Sequence, residues 1–169
     1  KVYGLGVLKW AEKAIANGKF NYLAFSFHDS VDVFKEIVDA YDWPMCQIQY
    51  NFMDIENQAG TEGLKYAAEK GIAVVIMEPL LGGNLVEPPA SIQSIWYKAP
   101  LKRSPVDWAL RWLWDQPEVS TVLSGMSTMK QVEENIAYAD VSGIGTLTSD
   151  ELLVFDQVRA KYEKLTAIP

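Results

Sequence analysis

The sequence predicts an α/β fold built on a parallel sheet, and three observations carry that prediction. Apolar patterning alternates between helical and strand periods four times along the 169 residues, and one further helix follows. Each strand-to-strand unit takes roughly thirty residues or more, the length of a βαβ crossover. The run IAVVIM at 72–77 is unbroken and rich in β-branched residues, as in a strand buried on both faces of a parallel sheet. Four such strands can form a small open sheet. They are also half of an eight-stranded barrel, which typically needs about 250 residues.

Each element has a local reason. Leu5, Leu8, Ala11 and Ile15 fall at helical spacing, and Asn17-Gly18 stops that helix. FNYLAFSFH, residues 20–28, reads as a strand. Asp29-Ser30 is a helix cap, and Val33, Phe34, Ile37, Val38 and Tyr41 share the face of the helix that follows. Trp43-Pro44 breaks it, and MCQIQYN at 45–51 is the second strand. A polar loop covers 54–60. A helix over 61–70 ends at Gly71, a suitable position for left-handed backbone. The third strand, 72–77, leads into a long connection over 81–103 with no readable element. Ser104-Pro105 starts a helix as cap and first residue, with Val106, Ala109, Leu110 and Leu113 on its apolar face. A strand over 119–123 and a helix over 128–138 come next. Thr148 and Ser149 cap a final helix over 150–164.

Composition bounds the function. Apolar residues make up 49% and charged residues 22%, ordinary for a chain with a packed core. The net charge of −7 argues against nucleic acid as a partner. The longest apolar run, about six residues, is far below a membrane span, and no signal peptide opens the chain. A single cysteine, Cys46, excludes an internal disulfide and fits a reducing, cytoplasmic setting. No second His or Cys lies at ligand spacing beside His28 or Cys46, so no metal site is expected. The chain starts at Lys1, close to a helix, which suggests a fragment, a processed product or a chosen boundary.

The most informative stretch is EVSTVLSGMSTMKQVEEN, residues 118–135: a strand, a small-residue turn and a helix start. Such a turn aims backbone N–H groups and the positive helix end at an anion. Gly125, Met126 and Ser127 are the candidate phosphate donors, and Gln131, Glu134 and Asn135 could bond an adenosine. Thr128-x-x-Gln131 is equally a capping box that only starts the helix. His28, the lone histidine, ends a strand where barrel catalysts sit, yet it has no defined partner. Gln47 and Gln49 interrupt an apolar strand, and either could face a ligand or solvent. Glu78 precedes PLLGG, whose glycines permit close backbone approach. Trp108, Trp112 and Trp114 lie on one helix and read as packing.

GKFNYLAFSFHDS, QIQYN, GIAVVIMEPLLGG and SPVDWALRWLWDQPEVSTVLSGMSTMKQVEENI, in that order, resemble the aldo-keto reductase family over nearly the whole chain. FSFHDS and MEPLLGG resemble its iron–sulfur-associated bacterial and archaeal branch. The resemblance implies a (β/α)8 barrel that reduces small aldehydes and ketones with NADPH or NADH. This chain matches strands five to eight and their helices, a single partial barrel domain over 1–169 with a C-terminal helix. The family's Asp, Tyr, Lys and His tetrad lies on the first four strands, so no catalytic residue is expected here and the chain alone is expected to be inactive. With one cysteine the chain cannot hold an iron–sulfur cluster.

The resemblance also implies the cofactor positions. Ser26 and Gln47 match carboxamide-binding positions, and Phe27 stands where the family has Asn. Met77 stands where many members stack a Tyr on nicotinamide. Glu78, Pro79, Leu80 and Gly82 match the pyrophosphate-facing loop. Gly125, Met126 and Ser127 match the 2′-phosphate loop, with Gln131 where NADPH-specific members carry Arg. Glu134 and Asn135 match the adenine contacts. A non-catalytic nucleotide-sensing or interaction module of the same fold is the competing reading. A half-barrel would leave its edge strands open and is expected to self-associate through them.

Overall fold

A computed structural model describes residues 3–166. After a 3₁₀ turn, Tyr3–Leu5, the elements run α1 Val7–Ala16, β1 Phe25–Phe27, α2 Val31–Asp39, β2 Met45–Gln49, α3 Gly60–Glu69 and β3 Ala73–Met77. A second 3₁₀ turn, Leu81–Gly83, precedes α4 Ala90–Lys98, α5 Pro105–Trp114, β4 Val119–Val122, α6 Met129–Asp140 and α7 Ser149–Thr166. The predicted parallel sheet is present, in the order β1-β2-β3-β4 with every pair parallel.

That order decides the layering. When sequential parallel neighbours are joined by right-handed crossovers, all the connecting helices fall on one face. Burial follows this. Cys46, Ile48, Val74 and Ile76 are fully enclosed against Phe34, Leu64, Ala67 and Leu113 from α2, α3 and α5. Their alternates Gln47, Gln49, Val75 and Met77 are only half-buried, and Ser26 and Thr121 are exposed. The face away from the helices is therefore uncovered. Burial also pushes the Cys46 thiol up to about 12, which keeps it neutral and unreactive.

A second core lies beyond the sheet. Trp96 of α4, Trp108 of α5 and Phe155 of α7 pack with Phe52, Leu85 and Ile92. The structure thus corrects the reading of 81–103 as a connection without elements, because Ile92 and Trp96 bury one face of α4 against α7. This helix is short and has Pro89, with no side-chain cap, at its start, so packing rather than local sequence specifies it.

The first strand is also shorter than the predicted 20–28. Phe25 pairs with Cys46, so residues before Ala24 would have to pair with chain preceding Met45. Pro44 stands there and has no N–H to offer, while Phe20 packs on Trp10 of α1. Gly60 is required sterically, since its φ is +55° and a Cβ would come within 2.8 Å of the Ile55 carbonyl oxygen.

Candidate functional site

The C-terminal ends of β3 and β4 open into a cleft of about 760 Å³, within the range of small-molecule sites. Its floor is Met77, the last residue of β3. One wall is the loop after β3, with Glu78, Pro79, Leu80 and Gly82; the other is the turn after β4, with Gly125 and Met126. The first turns of α6 close the end with Gln131, Glu134 and Asn135. Ten of the thirteen positions singled out in the sequence line this one cleft. A cleft of about 690 Å³ at the opposite ends of the strands includes Tyr41, Trp43 and Pro44; in parallel α/β folds the strands' C-terminal ends are the ligand side.

The loop after β3 is held in an unusual backbone. Glu78 and Leu81 have φ of +56° and +50°, and Gly82 and Gly83 follow at +61° and +90°. Left-handed backbone at two non-glycine residues is costly and persists only where neighbours enforce it. Asn51, just after β2, enforces it. Fully buried, its amide donates to the Glu78 carbonyl at 3.0 Å, and its oxygen accepts from Met53 N and Asp54 N, each at 3.0 Å. The Glu78 carboxylate in turn accepts from the Gly82 N–H. Sequence reading passed over Asn51. The signal was the Asn-x-x-Asp pattern directly after a strand, which marks a side-chain-capped turn. Asn51→Ala is expected to cost about 1–3 kcal/mol, because the Met53 N–H loses its acceptor and the Glu78 carbonyl its donor, while Asp54 N keeps the Asn51 backbone carbonyl. Urea denaturation checks this.

The three remaining positions lie near the cleft but not on its wall. The Gln47 amide donates to the Met77 sulfur at 3.3 Å, and Ser26 is its register partner on β1. Gln49 is engaged elsewhere, donating to Asp54 at 2.6 Å and accepting from Gln58. This separates the two glutamines: Gln47 faces the cleft floor and Gln49 braces a loop. Ser127 is exposed, its N–H donating to Gln131 Oε1 at 2.8 Å.

Of the turn Gly125, Met126 and Ser127, read as phosphate donors, the Ser127 N–H is thus bonded within the helix start. Thr128 N also donates to Gln131 Oε1 at 3.1 Å, and Thr128 Oγ1 accepts from Gln131 N at 3.3 Å, so the capping box is complete. Met126 N donates to Ser124 O at 3.1 Å. Asn135 likewise donates to Ser124 Oγ at 2.9 Å, tying α6 to the turn. Glu134 sits 3.7 Å from Lys130 in an exposed pair, worth little on its own.

His28 lies just past β1, exposed and outside the cleft. Trp108 and Trp112 pack in the core as read. Among the described residues no three metal-ligating side chains converge, and no helix is long and apolar enough to cross a membrane.

Comparison with known proteins matches this architecture. The profile of the aldo/keto reductase family covers residues 5–157. An uncharacterized oxidoreductase of Schizosaccharomyces pombe is 29% identical over 112 residues, which are 66% of this chain and 35% of that protein. The aldo-keto reductase AKR11C1 of Bacillus halodurans superposes in its holo form with a TM-score of 0.70 at 21% identity, over 87% of this chain and 53% of that one. Its apo form gives the same score over 54% of its length. The chain thus spans about half of those structures and about a third of the yeast relative. With the profile covering most of its length, the chain belongs to the aldo/keto reductase family.

Proposed function

We propose that this chain is the dinucleotide-holding part of an aldo-keto reductase whose intact form reduces aldehydes or ketones with NADH or NADPH. In this reading β1 to β4 are strands five to eight of a (β/α)8 barrel, one partial domain, and the uncovered sheet face is where the other four strands sit. The observation that carries it is the convergence of two separate segments, 77–82 and 125–135, on one cleft at the strands' C-terminal ends.

The residues present fit such a cofactor. A Cβ at Gly125 would meet nothing within 4 Å, so that turn leaves the cleft open. Met77 offers an adaptable apolar surface for a ring, and the neighbouring Gln47 offers an amide that can exchange bonds with a carboxamide. The bound nicotinamide would supply the hydride. The chain's own residues bind and orient it: Gln47 and Ser26 at the carboxamide, the left-handed loop after Met77 along the pyrophosphate, and Glu134 and Asn135 at the adenine.

Calorimetric titration of the purified chain with NADH and NADPH tests this reading, alongside an assay for cofactor oxidation with a test aldehyde. Binding without oxidation is expected. Turnover by this chain would overturn the placement of the catalytic groups on other strands, and absence of any binding would overturn the site.

A further inference from the structure

We infer that Asn51 is a positioning residue for the dinucleotide, setting the affinity for its two phosphates from outside the cleft; this rests on the dinucleotide reading of the cleft. Asn51 is fully buried and is not among the residues that line the cleft. It stands where the pairing of β2 with β3 ends. The Tyr50 N–H still bonds across to the Met77 carbonyl, at 3.2 Å. One residue later the chain turns left-handed at Glu78, and the Asn51 side chain takes the place of a backbone donor, reaching the Glu78 carbonyl at 3.0 Å. The amide cannot turn over. Its oxygen already accepts from Met53 N, and a flipped amide would set N–H against N–H. Donation to Glu78 is therefore enforced by the turn after β2.

The far end of the same loop has other anchors. Leu80 and Leu81 pack on the second core, and Leu85 is buried in it. These contacts hold side chains beyond Glu78 and do not fix its backbone, which lines the cleft at φ +56°. Without the Asn51 donor, Glu78 is free to leave this costly region and to carry Pro79 to Gly82 with it. A wall held in place before binding adds no ordering cost, whereas a released wall must be ordered by the ligand. The adenosine end is anchored separately. The capping box fixes the start of α6, and Asn135 is tied to Ser124 at 2.9 Å. Loss of the Asn51 strap is thus felt at the phosphates and not at the adenine.

Calorimetry of the unaltered chain and of Asn51→Ala tests this, with NADH and with adenosine, which reaches only α6. Asn51→Ala is expected to weaken NADH at least about tenfold and to leave adenosine within about twofold. Hydrogen exchange separates a local effect from a global one. The Leu81 N–H, which donates to the Glu78 carbonyl at 3.1 Å, should exchange faster in the variant, while the Ile76 N–H within β3 should not. Asn51→Asp keeps an acceptor for Met53 N and removes the donor to Glu78. It should speed Leu81 exchange and leave the Met53 N–H protected, whether or not Asn51→Ala folds. Equal NADH affinity in the two chains, a parallel loss of NADH and adenosine, or unchanged Leu81 exchange would overturn the inference. If NADH does not bind the unaltered chain, the dinucleotide reading itself falls, and this inference with it.

Discussion

Trp108→Ala is expected to lower the unfolding free energy by about 3–5 kcal/mol, the cost of deleting a large aromatic from a packed core. Trp108 is fully enclosed. It stacks on Trp96 with centroids 5.2 Å apart and 17° between planes, and it meets the edge of Phe155 at 5.7 Å. The Arg103 guanidinium lies 4.5 Å over its ring, and Arg103 in turn pairs with buried Glu151 at the start of α7. One ring thus joins α4, α5 and α7, and its removal loosens all three. Its indole N–H has no hydrogen-bond partner among the described residues, so the loss is one of packing and of the cation contact. Trp114, half-buried at the end of the same helix, provides the comparison. Urea midpoints should fall much further for Trp108→Ala than for Trp114→Ala, and equal shifts would contradict this account.

The contrast between the two cores explains what could be read from the sequence. Around the sheet, each side chain's position follows from a local period. Cys46, Ile48, Val74 and Ile76 alternate with half-buried neighbours, and a period of two fixes which face each occupies. Gly71, with φ of +75°, ends α3 where the sequence placed a helix stop. The second core has no such local rule. α4 exists because Ile92 and Trp96 find α7, almost sixty residues later in the chain, and no pattern within 81–103 announces that partner.

The candidate site divides in the same way. Residues that line the cleft through backbone position, such as Gly82 and Gly125, were legible from turns, whereas Met77 was singled out only by the family resemblance. Hydrogen-bond assignments within the turn were not. The sequence allows Gln131 either to cap the helix or to face a ligand, and only the fold shows its oxygen committed to Ser127 and Thr128. Asn51 was missed because its role is to hold a carbonyl in the loop after a different strand, at Glu78.

The 169-residue chain is expected to self-associate through its sheet, with a dimer as the predominant species at micromolar concentration. Four parallel strands leave β1 paired only to β2, and β4 only to β3. Each edge presents unpaired N–H and C=O groups that favour another strand. The edges are complementary in direction: a two-fold axis along the strands brings β4 of one copy beside β1 of the other, running parallel, and the second contact closes the ring. Eight strands then enclose the open faces carrying Ser26, Gln47, Val75 and Thr121, which the helices leave uncovered. On the proposed reading, four further barrel strands would meet these same edges. Sedimentation velocity should give twice the chain's 19.0 kDa. Thr121→Lys, which places a charge on the face to be enclosed, should return a monomer. A monodisperse monomer of the unaltered chain would mean that its edges are protected by other means, and would remove the main physical reason for expecting a partner on the open face.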